Sequence, residues 1–351
     1  MQRHRRVLVS GHGEVADVIK NWSLGAGHLA VAVIVAISFV FLTGNTSGAE
    51  KLRISYASVT GNTAVITYVA QRAGLFEKYG LDVEIILITG GPAAVSALLN
   101  GDVDLDLRAP IAAIQAMAYG AKLTFLLSQS NILDYDVVTR PEIKDVKQLK
   151  GKKIGIIRFG GISELMVRYL FQKLGLEADK DIAIVQVGQA RFSSLERGAI
   201  EATVLSSSES AYAKRTGFRV LDMPALPFFG STIVTTPVLV MKKSDAFTRY
   251  MKGYLDGVRF FLNDRERSSQ YIGDLLRTKD RDMIELAYKT NPQHQMGRRP
   301  YPDMAAVRAT LDIMSSRDPL VKKLKAEELF HLSFLTRLDQ SGFIDQLYQT
   351  K

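Results

Sequence analysis

The sequence predicts an α/β fold of two similar lobes, each a parallel sheet faced by helices, with extra helices at the C-terminal end. Three observations carry this. Short strand and helix patterns alternate from Lys51 onward, a set of landmarks recurs about a hundred positions later, and glycine-rich turns fall between strands and the helices that follow them.

The first half reads as an ordered series of strand–helix units. Leu52 to Ala57 has the apolar alternation of a strand, and Thr63 to Phe76 carries Val65, Val69, Ala73 and Phe76 at helical spacing. Gly80 to Ile88 is a second strand. It breaks at Gly90-Gly91-Pro92, and a helix from Ala93 to Leu99 stops at Asn100-Gly101, a usual C-terminal signal. Val103 to Leu107 is the third strand, Ile111 to Tyr119 a helix, and Leu123 to Leu127 the next strand.

The same unit then returns. Lys153 to Ile157 is a strand, Gly160-Gly161 a turn, and Met166, Tyr169, Leu170 and Leu174 mark a helix that ends at Gly175-Leu176. Gly80-Leu81 stands 95 positions before Gly175-Leu176, Ala183 to Val187 repeats the strand Val83 to Leu87, and Gly198 follows Gly101 by 97. A closely matched offset across three landmarks is an internal repeat. Pro237 to Met241 closes the strand pattern. Ser244-Asp245 then opens a long helix through Phe247, Met251, Leu255, Val258 and Leu262. Further helices are expected over Asp282 to Tyr288, Met304 to Ile313 and Leu335 to Tyr348.

Composition narrows the function. At 47% hydrophobic and 23% charged residues, the chain is an ordinary globular one with room for two lobes. Its net charge of +9 is spread out, and the basic residues do not interleave with aromatics, so no nucleic-acid surface is expected. Cysteine is absent, which removes disulfides, thiolate ligands and thiol nucleophiles. Only His294 and His331 lie beyond the first fifty residues, and no G-x-S-x-G elbow occurs. Neither a metal site, nor a cofactor, nor a catalytic constellation is expected.

Leu29 to Leu42 is an apolar run interrupted only by Ser38, and Ser47-Gly48-Ala49 supplies small residues after it. The run is short for a membrane span, which takes about 20 residues, and suits the core of an export signal. Residues 1–49 are therefore expected to be a signal peptide cleaved before Glu50. Retention of the segment as an anchor, which would make the chain a membrane-anchored ligand-sensing module, is the alternative.

Tyr68-Val-Ala-Gln-Arg-Ala-Gly-Leu-Phe-Glu-Lys-Tyr-Gly-Leu-Asp-Val-Glu84 resembles the signature of periplasmic substrate-binding proteins of ABC importers, in the group that binds nitrate, taurine, alkanesulfonates and thiamine-precursor pyrimidines. Gly90-Gly91 before a helix, Gly101-Asp-Val-Asp104, and the stretch Val146 to Gly155 agree in kind and order, so the resemblance covers about Lys51 to Phe261. Two departures stand out: Ser206-Ser-Ser-Glu209 where such proteins carry a proline, and Arg108 where small residues are usual. The resemblance implies a two-lobed periplasmic-binding-protein fold (type II-like), closing by hinge motion on a small solute. It also implies ABC permease subunits as partners, a periplasmic location and a monomer. The chain would cross between lobes near Asp136–Arg140 and Ile233–Val238. Lobe one would then be residues 51–137 plus 236–351, and lobe two 138–235. A relative of the pyrimidine synthases that share this fold is the enzymatic alternative, and it would need a histidine in the cleft.

Ligands in open α/β sheets bind beyond the carboxyl ends of the strands, where these turns fall. Ser58, Thr60, Asn62 and Thr63 after the first strand offer hydroxyls, an amide and free helix N–H groups. Gly90 and Gly91 allow close backbone approach, and no Lys-Ser/Thr follows them, so they are not a nucleotide loop. Arg108 and Arg158 could each clamp a carboxylate, sulfonate or phosphate, or could instead pair with neighbours such as Asp106 or Glu164. Gly160, Gly161 and Ser163 mirror the lobe-one turn. Ser130, flanked by Gln129 and Asn131, and Ser207 are polar at strand ends, where ligand or hinge contact is expected. Tyr56, Tyr135 and Phe159 could stack on a planar ligand or belong to the core.

Overall fold

The computed structural model describes residues 49–56, 62–108, 110–133, 135–221, 226–295 and 297–349. The expected signal peptide therefore lies outside the described residues. Ala49–Lys351 forms one compact unit.

The elements run β1 (Glu50–Tyr56), α1 (Asn62–Arg72), α2 (Leu75–Lys78), β2 (Leu81–Leu87), α3 (Gly91–Asn100), β3 (Leu105–Arg108), α4 (Ile111–Ala118), β4 (Thr124–Ile132) and β5 (Tyr135–Thr139). Then come β6 (Lys153–Ile156), α5 (Ile162–Lys173), β7 (Ala183–Gln186), α6 (Arg191–Glu196), β8 (Ala202–Ser206), α7 (Ser207–Arg215), β9 (Arg219–Val220) and β10 (Pro227–Thr235). The C-terminal helices are α8 (Pro237–Lys242), α9 (Ser244–Asn263), α10 (Arg265–Leu276), α11 (Arg281–Gln295), α12 (Met304–Ser315), α13 (Ser333–Gln340) and α14 (Phe343–Gln349).

The strands form two five-stranded sheets, ordered β2-β1-β3-β10-β4 and β7-β6-β8-β5-β9. The two orders superimpose position for position, which is the internal repeat in structural form. Three parallel strands lead each sheet, and the fourth position is filled by a strand arriving from the other lobe: β10 in the first sheet, β5 in the second. Both run antiparallel to their neighbours. The sheets are therefore mixed, where uniformly parallel strands were expected, because a strand that has just crossed enters its new sheet against the direction of the others. The strand 227–235, assigned to lobe two from the repeat, is hydrogen-bonded into the first sheet.

Local chemistry revises three further elements. Pro237 to Met241 is a helix, since Thr236 accepts the Leu239 N–H at 3.2 Å as an N-cap and Pro237 takes the first turn. The helix expected over Thr63 to Phe76 divides at Gly74, whose φ of 71° ends one helix and starts another. The last expected helix likewise divides at Gly342 (φ 74°).

The first core lies between one face of the first sheet, α1 and α9. Phe247, Tyr250, Met251, Tyr254, Val258 and Phe261 recur at helical spacing along α9 and are fully buried. Gly253 and Gly257 let α9 come close. A Cβ on Gly253 would lie 2.5 Å from Phe76, and one on Gly257 2.7 Å from Ala70. A second apolar cluster is shared by both lobes, with Ile111 and Met314 on one side and Leu165 and Met166 on the other. The lobes are thus in contact.

The polar end of β4 ties the lobe junction to the segment before α12. The Ser128 N–H donates to the Pro300 carbonyl at 3.1 Å, Asn131 Nδ2 to the Tyr301 carbonyl at 3.1 Å, and the Asp303 N–H to Asn131 Oδ1 at 2.9 Å. None of the described helices is long and apolar enough to cross a membrane.

Candidate functional site

Three helices of both lobes start around one space, and the reason is steric. A Cβ on Gly91 would lie 2.3 Å from the Ala112 Cβ, so only glycine lets the starts of α3 and α4 touch. Gly90, at φ 93°, faces the Arg158 guanidinium of the other lobe, 3.5 Å from where its own Cβ would sit. The Arg158 side chain also flanks Gly161, the residue that precedes α5. Beside them a cavity of about 200 Å³ is lined by Ile111 and Gln115 of α4, Gly160, Gly161 and Leu165 of lobe two, and Met314, Arg317 and Asp318 at the end of α12.

None of the three helix starts here carries a side-chain cap, whereas Thr236, Asp264 and Asp303 cap helices elsewhere. Uncapped N–H groups and the positive end of the helix dipole favour an anion, by about 0.3–1 kcal/mol per helix. Arg158 adds a full charge. It is exposed and has no carboxylate partner among the described residues, so it does not pair with Glu164. Phe159, 53% exposed, stands next to it and is not part of the core. Its N–H donates to Gln186 Oε1 at 3.3 Å.

Other expected site residues are engaged inside the protein. Arg108 is buried and pairs with Asp106, which also accepts the Ser55 hydroxyl at 2.7 Å. Burial pushes the Asp106 carboxyl up, against the pull of Arg108 and Ser55. Ser163 is buried, with its Oγ accepting the Ile157 N–H at 2.9 Å and closing the β6–α5 turn. Ser130 is buried and donates to the Ile132 carbonyl at 2.9 Å. Thr63 is buried in the first turn of α1, and Asn62 opens that helix. Ser207 starts α7, behind a capping box in which the Ser206 N–H donates to Glu209 at 2.9 Å. Tyr56 and Tyr135 pack against the two cores. Ser58 and Thr60 lie outside the described residues.

Sequence reading missed Gln115, Met314, Arg317 and Asp318, and it misplaced Glu164. The first sits in mid-helix without a motif, and the next three reach the site from the far C-terminal region. Glu164 is 1% exposed and accepts from the Gly160 N–H at 2.6 Å, Arg168 Nε at 2.8 Å and Arg317 Nη2 at 2.9 Å. Burial works to raise its pKa, but these donors outweigh it and hold the carboxyl below the ordinary range. No group of three or more metal-ligating side chains occurs among the described residues.

The two repeated sheets joined by crossing strands define a two-lobed periplasmic-binding-protein fold. The structure of the periplasmic aliphatic sulphonate binding protein SsuA from Escherichia coli is similar, with a TM-score of 0.65 at 18% identity over 80% of this chain and 92% of that one. The periplasmic nitrate-binding protein NrtA from Synechocystis PCC 6803 gives a TM-score of 0.60 at 11% identity over 84% and 89%. The model of the family described as NMT1/THI5 like matches residues 62–268, and the chain belongs to that family. A Brucella abortus (strain 2308) protein, provisionally named a binding protein, is 30% identical over 136 residues. That match covers 39% of this chain and 41% of the relative, less than half of each. The 4-amino-5-hydroxymethyl-2-methylpyrimidine phosphate synthase of Schizosaccharomyces pombe is 31% identical over 38% of each chain.

Proposed function

We propose that the protein is an extracytoplasmic solute-binding receptor of an ABC importer that closes on a small anionic solute. The observation that carries the reading is Arg158: an exposed side chain with no carboxylate partner among the described residues, set against Gly90 of the opposite lobe among helix starts without side-chain caps. A solute anion there would be held from both lobes at once, so binding favours the closed form that a permease recognises. Gly160 and Gly161, which line the cavity, would complete the rim on the lobe-two side. The fold shared with sulphonate- and nitrate-binding proteins supports the same class. An export signal in residues 1–49, a periplasmic location, permease partners and a monomeric state belong to this proposal. The synthase alternative has less support, because the glycine-rich turns carry no histidine.

The test is a thermal-shift panel of nitrate, alkanesulfonates, carboxylates and neutral heterocycles on the unit Ala49–Lys351. A saturable rise with one anion class, lost in Arg158→Ala, is expected. A rise only with neutral or cationic heterocycles overturns the anion assignment.

A further inference from the structure

The buried carboxylate of Glu164 receives donors from two different lobes. Gly160 and Arg168 belong to lobe two with Glu164 itself, and Arg168 is also held at 2.6 Å by Asp179. Arg317 arrives from the other side, at the end of α12, whose helix packs on β10 in the first sheet. Its side chain is 42% exposed, so the guanidinium is solvated whenever it is released, whereas the Glu164 side chain in lobe two is 1% exposed. Opening the lobes therefore removes one donor from Glu164 and leaves two. The Gly160 bond also holds this carboxylate against the turn that precedes α5.

We propose that the Arg317–Glu164 pair is a closure latch, an interlobe contact that holds the lobes together before any solute is bound and sets how much of the ligand-free protein is closed. The latch goes beyond the receptor reading and does not depend on which solute is carried. It is worth one charge-assisted hydrogen bond, about a tenfold change in the closed-to-open ratio. Arg168, a partner of the same carboxylate from within lobe two, contributes nothing to closure.

The chain has no cysteine, so Lys122→Cys on lobe one and Glu196→Cys on lobe two give a single pair of spin labels. Distance distributions are recorded on ligand-free Ala49–Lys351, so failure of the receptor assignment leaves this measurement intact. A mainly closed population is expected, falling about tenfold relative to the open form in Arg317→Gln, partly restored in Arg317→Lys, and unchanged in Arg168→Gln. An unchanged distribution in Arg317→Gln overturns the latch. So does an equal response to Arg168→Gln, which marks Glu164 as a fold element of lobe two only, or a protein already open without the substitution.

Discussion

Arg158 of lobe two and Gly90 of lobe one meet across the cleft, with the guanidinium Nη1 3.5 Å from the position a Gly90 Cβ would take. A cation reaching a side-chain-free turn leaves an anion room to bond both the guanidinium and the backbone N–H groups of α3.

Arg158→Ala should weaken solute binding by at least tenfold while leaving the melting temperature of the ligand-free protein within about 1 °C, since an exposed side chain contributes little to stability. Arg158→Lys should recover only part of the affinity, because an ammonium lacks the planar fork. Calorimetric titration of wild type and both variants checks this. Equal affinity in all three would remove Arg158 from the site.

Gly91→Ala should destabilise the protein by about 1–3 kcal/mol through overpacking, because the new methyl would sit 2.3 Å from the Ala112 Cβ. The double variant Gly91→Ala with Ala112→Gly should regain most of that loss. A double-mutant cycle from urea titrations measures the coupling. Additive costs would mean that the two helix starts are not held in contact.

Strand–helix alternation, the repeat and the glycine turns were legible in the sequence because each follows from local periodicity or from a backbone angle that strongly favours glycine. Gly90 and Gly160, at φ 93° and 74°, are of that kind. The antiparallel entry of β5 and β10 was not legible, since the direction of a crossing strand is decided by the lobe it enters. For Arg108 the sequence left ligand and Asp106 both open, and the fold decides for Asp106; Ser163 read as a ligand contact because its place at a helix start says nothing about the Ile157 N–H waiting in three dimensions. Arg317 could not be found from sequence at all. Its partner is Glu164, far away in the chain, and no periodicity joins them.

Gln129 and Tyr254 join the end of β4 to α9, the Tyr254 hydroxyl donating to Gln129 Oε1 at 2.8 Å with both residues buried. Burial holds the Tyr254 phenol far above its usual range, so it stays a donor at every working pH. Tyr254→Phe should cost about 1–3 kcal/mol, the penalty of leaving a buried amide oxygen without its donor. Gln129→Leu with Tyr254→Phe should cost less than the sum of the two single changes. Chemical denaturation checks this, and a cost near zero for Tyr254→Phe would mean that water replaces the hydroxyl.

Asp256 is expected to contribute to the acid limit of stability. Its carboxylate is fully buried on α9 and accepts Lys78 Nζ at 2.7 Å and Arg259 Nε at 2.9 Å, with the Tyr79 hydroxyl at 3.3 Å. Burial works to raise its pKa, but Lys78 and Arg259 outweigh burial and hold it below the ordinary 3.8. A carboxyl with a lowered pKa in the folded state binds fewer protons there than when unfolded. Its stabilisation is therefore complete above the unfolded value near 3.8 and is lost as the pH falls through the lower folded value. Melting temperature should accordingly hold steady from neutral pH to about 5 and fall steeply below about 4, with Glu164 contributing in the same direction. Asp256→Asn should lower stability at pH 7 by about 1–3 kcal/mol, since the amide turns donors toward two cations, and should flatten the acid limb. Calorimetric scans of both proteins between pH 3 and 7 decide it. Parallel acid limbs would assign the loss to other carboxylates.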